Sequence, residues 1–182
     1  MRKVTLYIEC SSVYIGKKPR LSGYVLEYII QGLPVTGQAF REGSGTYNQE
    51  YLLTIIDALG HIREPVELLI CGSNRFVLNM LQIWAENDFI SNDRPVMNQE
   101  EWRSVWEKIK EHKVSIQTGK HSYSGWLLTE MEDRNGIKEN ERVKRSTKME
   151  GRNENTENAK GGGHDRNTAN GSDLSETKGL SR

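Results

Sequence analysis

The sequence predicts an α/β protein, a five-stranded mixed sheet (a three-strand meander plus two further strands) flanked by helices. Three observations carry that expectation. Alternation of period two, rich in β-branched and aromatic residues, fills the first 42 residues. Apolar residues then recur at spacings of three and four, as on the buried side of a helix. Between those helical stretches, short β-type segments return at Val66 to Cys71 and Val114 to Gln117.

In Val4-Thr5-Leu6-Tyr7-Ile8-Glu9-Cys10-Ser11, the residues Val4, Leu6 and Ile8 alternate with Thr5, Tyr7 and Glu9. Both faces are largely apolar, which suits a strand in the middle of a sheet. It ends on Glu9, and in open sheets ligands collect at strand ends beside a change of chain direction. A polar turn through Lys17-Lys18-Pro19-Arg20 leads to Gly23–Ile30, and Gln31-Gly32 turns the chain into Leu33–Glu42, completing the meander. Gly43-Ser44-Gly45 breaks it. Thr46-Tyr47-Asn48-Gln49 has the form of a capping box, in which Gln49 reaches back to the cap. Behind it a helix is expected from about Tyr47 to His61. After the strand at Val66, the residues Phe76, Val77, Met80, Leu81 and Trp84 mark a short helix. Asn98 with Glu101 forms a second capping box, opening a helix that carries Trp102, Val105, Trp106 and Ile109. Lys108, Lys110 and Lys113 follow near its end, where cations complement the helix dipole. After Val114–Gln117, a last short helix is expected over Tyr123–Met131.

The chain has 182 residues and is 35% hydrophobic, with a mean hydropathy of -0.70, low for a chain folded throughout. The shortfall is local. From Asp133 onward the only large apolar residues are Ile137, Val143, Met149, Leu174 and Leu180, too scattered to offset ordering entropy. Two regions are therefore expected, a folded domain over 1–132 and a disordered polar low-complexity tail over 133–182. The tail's 11 Lys or Arg stand against nine Asp or Glu, and the body's 14 against 16. Neither has the positive field of a protein that grips phosphate backbones tightly. No membrane-spanning run or apolar signal core is visible, so no membrane partner and a cytoplasmic location are expected. Cys10 and Cys71 have no metal-ligand spacing. Cys10 follows Glu9 and so faces away from it, whereas Cys71 shares the parity of Ser73, so no bridge between them is expected.

Particular residues add to this topology. Thr46-x-Asn48 opens the first helix, Trp84 stands late in the next, Pro95-Val96-x-Asn98-x-x-x-Trp102 opens the third, and Lys120-His121 follows the last strand. Together they resemble type 1 ribonuclease H of the ribonuclease H-like superfamily, over roughly Lys3 to Met131. The resemblance implies an enzyme that cleaves the RNA strand of RNA/DNA hybrids with two Mg²⁺ ions held by four carboxylates. Two divalent ions roughly 4 Å apart need several negative oxygens to offset their repulsion.

At the matching positions stand Glu9, Tyr51, Ser73 and Met131. Neutral Tyr, Ser and Met cannot supply the missing charge. Glu50 adjoins Tyr51 but is turned about 100° around the helix, and Glu130, Glu132 and Asp133 flank Met131. The expectation is a catalytically degenerate ribonuclease H-like protein, a pseudoenzyme serving as a nucleic-acid-associated binding or scaffold module, with no cofactor. Glu9 and His121 would be remnants of the catalytic set, and Thr46, Asn48 and Asn98 residual nucleic-acid contacts. Two alternatives stay open. One is an active Mg²⁺-dependent hydrolase using Glu9, Glu50 and an acid near Met131; the other is a protein-interaction module without nucleic acid. Partners implied are an RNA/DNA hybrid or other nucleic acid, held weakly, and a protein bound through the tail. Each residue also has a plainer reading: Glu9 as a solvated strand end, His121 as a loop histidine, Trp84, Trp102 and Trp106 as core.

Overall fold

The computed structural model describes residues 1–157. Its first strand, β1 (Lys3–Cys10), pairs antiparallel with β2 (Arg20–Ile30), which pairs antiparallel with β3 (Leu33–Gly43). After α1 (Tyr47–Leu59), β4 (Glu67–Gly72) joins the other side of β1 in parallel. Then come α2 (Arg75–Glu86), a small ribbon of β5 (Ile90–Ser91) and β6 (Arg94–Pro95), and α3 (Gln99–Ile109). The strand β7 (Lys113–Thr118) adds in parallel to β4, and α4 (Ser124–Glu157) ends the described chain. The sheet order is β3-β2-β1-β4-β7, the mixed five-stranded arrangement expected from sequence.

The alternation of β1 decides what lies on each face of the sheet. Val4, Leu6, Ile8 and Cys10 face α1, α2 and α3, and the larger apolar cluster forms there with Leu52, Ile55, Ile70, Leu78, Trp102 and their neighbours. On the opposite face Leu21 and Val25 of β2 meet Leu127 and Met131 of α4, with Tyr7, Phe40 and Tyr123 alongside. Trp102 is fully buried and its ring meets Trp84 edge-on at 4.6 Å between centroids, a core contact. Cys10 and Cys71 are both free and buried, on opposite faces of the sheet.

Four local features differ from the sequence-based expectation. Thr46 does cap α1, its hydroxyl accepting from the Gln49 amide at 3.2 Å, but the Gln49 side chain donates to Glu101 at 2.7 Å instead of reaching back. Asn98 takes a left-handed conformation (φ 62°) and makes no capping hydrogen bond. The last residues of the two expected boxes thus bond each other, because packing of α1 on α3 brings them together. Between the second and third helices, where the sequence pattern marks no strand, the chain makes the β5–β6 ribbon, turned through Asn92 and Asp93 at positive φ.

The fourth feature is α4, which runs to Glu157 where the composition predicted disorder from Asp133. Once Ser124 to Met131 has docked, further turns add without a new nucleation cost. Glu130 and Arg134 pair across one of those turns at 3.6 Å. Residues Met1–Glu139 form one compact unit and a second starts at Asn140; residues 158–182 of the expected tail lie outside the described residues. Among the described residues no helix is long and apolar enough to cross a membrane.

Gly72 closes β4 under the hydroxyl of Tyr51, which is fully buried and donates to the Ile8 carbonyl at 3.5 Å. A Cβ on Gly72 would overlap that hydroxyl and approach the Ile8 carbonyl oxygen at 3.1 Å. Gly72→Ala is therefore expected to cost about 1–3 kcal/mol of stability in chemical denaturation. Tyr51→Phe in the same chain should recover part of the loss; equal stability of Gly72→Ala and wild type would contradict the contact.

Candidate functional site

Three chain segments meet where β1 and β4 end. Parallel pairing sets Ile8 against Gly72, so Glu9 and Ser73 are the next residues along and share a face of the sheet. Past β7, Gly119 adopts a positive φ of 119° and donates its amide to the Gly72 carbonyl at 2.8 Å. That turn carries His121 back over β1 and delivers the chain to the start of α4 at Ser124.

Glu9 is buried, with 4% of its surface exposed, and both its oxygens are in use. The Ser73 hydroxyl donates to Oε2 at 2.7 Å and the Ser124 hydroxyl to Oε1 at 2.6 Å. His121 Nε2 lies 3.3 Å from Oε1 and 3.2 Å from the Ile8 carbonyl. Its Nδ1 accepts from the Tyr123 amide at 3.3 Å, so in the neutral ring Nε2 carries the proton and donates. Ser124 is further tied by accepting the His121 amide at 2.9 Å. The Tyr47 and Ser73 hydroxyls stand 3.5 Å apart, closing the side of the group toward α1. Burial raises the ionisation of the Tyr47 and Tyr51 hydroxyls above the usual tyrosine range, so both are neutral donors at physiological pH.

The other residues singled out from sequence fall elsewhere. Glu50, also buried, accepts from Arg41 at 2.6 Å and from the Gly45 amide at 2.8 Å, holding the β3–α1 connection. Its rotation away from Tyr51 accounts for that placement. Met131 is fully buried beside Leu21, Val25 and Leu127. Glu130 pairs with Arg134, and Glu132 and Asp133 are exposed. Asn48 accepts from the Asn74 side chain at 3.0 Å, while Asn74 caps α2 by accepting the Val77 amide at 3.0 Å. Thr46 is committed to its cap, and Asn98 stands at the head of α3.

A two-metal centre needs converging anions, and one carboxylate with two hydroxyls, a phenol and an imidazole does not make one. Among the described residues no group of three or more His, Cys, Asp or Glu side chains could hold a metal ion. The residues present therefore do not fit a pair of Mg²⁺ ions.

Sequence reasoning missed Ser124, Tyr47 and Arg20. Ser124 was detectable as a hydroxyl three residues after His121 at a helix start, the spacing of a local turn. Arg20 is buried and donates to the carbonyls of Ser12, Tyr14 and Gly16 at 2.8, 2.9 and 2.7 Å. It thereby shapes the β1–β2 loop, which exposes Val13, Tyr14 and Ile15 beside the site. A basic residue next to Lys17 and Lys18 reads from sequence as solvated, which hid that role.

Two outcomes follow from this geometry. Glu9→Ala strands the Ser73 and Ser124 hydroxyls, and should lower unfolding free energy by about 2–3 kcal/mol; a rise on substitution would mark Glu9 as a member of a repelling acidic cluster instead. Burial also pushes the Cys71 thiol from 9.0 up to about 11. Its raised folded-state value means that stability is intact below pH 9 and declines as the pH rises through 11, because the unfolded chain ionises first. Chemical denaturation across that range, with Cys71→Ser flattening the decline, checks this.

No family model matches the chain. It is 29% identical over 126 positions to a ribonuclease H of Campylobacter curvus, covering 63% of this chain and 78% of that protein. It is 25% identical over 103 positions to a ribonuclease H of Thermoanaerobacter, covering 53% and 66%. Among solved structures, a type 1 RNase H with the type 2 active-site motif matches with a TM-score of 0.57 at 16% identity, covering 73% of this chain and 70% of that one. An RNase H domain from Mycobacterium tuberculosis matches at 0.54 and 11%, covering 76% and 99%. An RNase H1 in complex with an RNA/DNA hybrid matches at 0.52 and 13%, covering 72% and 98%. The chain thus has a ribonuclease H-like fold, and its sequence resembles ribonuclease H.

Proposed function

We propose that this chain is a catalytically degenerate ribonuclease H-like protein, a nucleic-acid-associated binding or scaffold module acting in the cytoplasm. The observation that carries the reading is the state of Glu9. Its oxygens, the best remaining metal ligands, are occupied by Ser73, Ser124 and His121. Tyr51 and Met131, both fully buried, supply no charge.

Nucleic acid is the favoured partner for two reasons. One solved relative in fold is a complex with an RNA/DNA hybrid. The Arg20-braced loop beside the site also presents exposed Tyr14 near Lys17 and Lys18. An aromatic ring for stacking with two cations for phosphate makes a modest, salt-sensitive contact. Thr46, Asn48 and Asn98 would add polar contacts, weakened where their side chains are already paired.

An active Mg²⁺-dependent ribonuclease is the second reading, favoured by relatives named ribonuclease H and by the retained Glu9 and His121. It requires Glu50 to leave Arg41 and Gly45 and turn toward Glu9. A partner protein bound through the tail is compatible with either reading.

Incubation with an RNA/DNA hybrid in Mg²⁺ or Mn²⁺ separates the two readings. The expected result is weak hybrid binding that falls with salt, and no cleavage above a protein-free control. Robust cleavage abolished by Glu9→Gln would establish the active enzyme instead.

A further inference from the structure

Strand β3 is an outer edge of the sheet, hydrogen-bonded only to β2 among the described residues. Edge strands are normally guarded by charges, bulges or covering segments. Here Leu33 to Gln38 are exposed on both faces, and no charged residue occurs from Tyr28 to Phe40. Leu33 and Val35 are 69% and 48% exposed.

The hairpin geometry says which peptide groups are free. The two-residue turn has positive φ at both Gln31 (52°) and Gly32 (81°), which makes Ile30 and Leu33 the closing hydrogen-bonded pair. Peptide groups of Leu33, Val35, Gly37 and Ala39 therefore point toward β2, and those of Pro34, Thr36, Gln38 and Phe40 point outward. Pro34 is the only guard on that row.

The side chains add a shape. On the face shared with Tyr24, Leu26 and Tyr28, Leu33 and Val35 project, whereas Gly37 and Ala39 leave space. A Cβ on Gly37 would meet nothing within 4 Å. A depression of about 330 Å³ lies there, lined by Tyr24, Leu26, Tyr28, Gly37, Ala39 and His61.

We propose that β3 is a self-association site, pairing antiparallel with β3 of a second copy about a two-fold axis at Gly37. Thr36 and Gln38 then exchange backbone hydrogen bonds with Gln38 and Thr36 of the second copy. Val35 of each chain comes beside Ala39 of the other and enters its depression. Glycine faces glycine at the axis, where non-hydrogen-bonded pairs approach most closely. The self-fit selects this occupant: projection and hollow lie four residues apart on one face, and the two-fold places each over the other. Charge permits the pairing: Tyr28 to Phe40 carry no charge, and Arg41, which would come beside Leu33 of the second copy, is already paired with Glu50. Between Tyr28 and Phe40 nucleic acid finds no cation. The inference is independent of whether the Glu9 site is active.

Sedimentation of the full chain at about 100 µM tests it. The expected mass is twice the chain's 20.8 kDa. Thr36→Pro removes an outward donor without touching the β2 ladder and should halve that mass with unchanged circular dichroism. Val35→Glu places a carboxylate in each hollow and should do the same, so it decides the matter alone if the proline variant unfolds. A wild-type mass of one chain, or a dimer that survives in the folded variants, overturns the proposal.

Discussion

A buried carboxylate must find partners for its lone pairs, and the partners chosen by Glu9 govern how the end of this sheet is built. Two hydroxyls, at 2.7 and 2.6 Å, and an imidazole at 3.3 Å surround it. Hydrogen bonds to an ionised acceptor are the strong kind, about 1.5–3 kcal/mol each. They tie together β1, the end of β4 and the start of α4, segments distant in sequence. The same geometry would serve a metal only if those donors withdrew and further anions arrived.

The residues around Glu9 form one consistent set. Tyr51 places a ring that reaches under Gly72 to the Ile8 carbonyl. Met131 packs α4 against Leu21 and Val25 with apolar contacts. Glu50, the nearest acid on α1, is neutralised by Arg41. Burial or pairing thus accounts for each of these side chains, which form part of the core. The β1–β2 loop next to it is held by the buried Arg20 and keeps an exposed aromatic tip.

Much of this was legible in the sequence. The strands around Val4, Val25 and Leu68 followed from alternation, and α1 to α3 from apolar spacing, because both signals come from burial on a sheet face or helix stripe. The parity argument correctly separated Cys10 from Cys71. The helix starts were less legible: Thr46 caps as expected, but Gln49 and Glu101 chose each other, a tertiary preference that local pattern does not record. The extent of α4 was missed because composition reports the absence of a core, whereas a helix already started can continue without one. Near Glu9, the strand end pointed to Glu9, helix register to Ser73 and the place after the last strand to His121, and the structure brings the three together. Ser124 was missed because the fourth position was sought ten residues past His121 rather than at the helix start.

The direct measurement is the response of the Glu9 side-chain carboxyl carbon to Mn²⁺, followed by NMR in protein labelled at that carbon. A carboxylate held by Ser73, Ser124 and His121 should keep its line width as Mn²⁺ reaches the millimolar range, while exposed acids such as Glu132 broaden weakly and alike. Selective broadening of Glu9, with Glu50 or another buried acid following it, would mean that ions do gather there, and the proposal that this fold has lost its metals would be wrong.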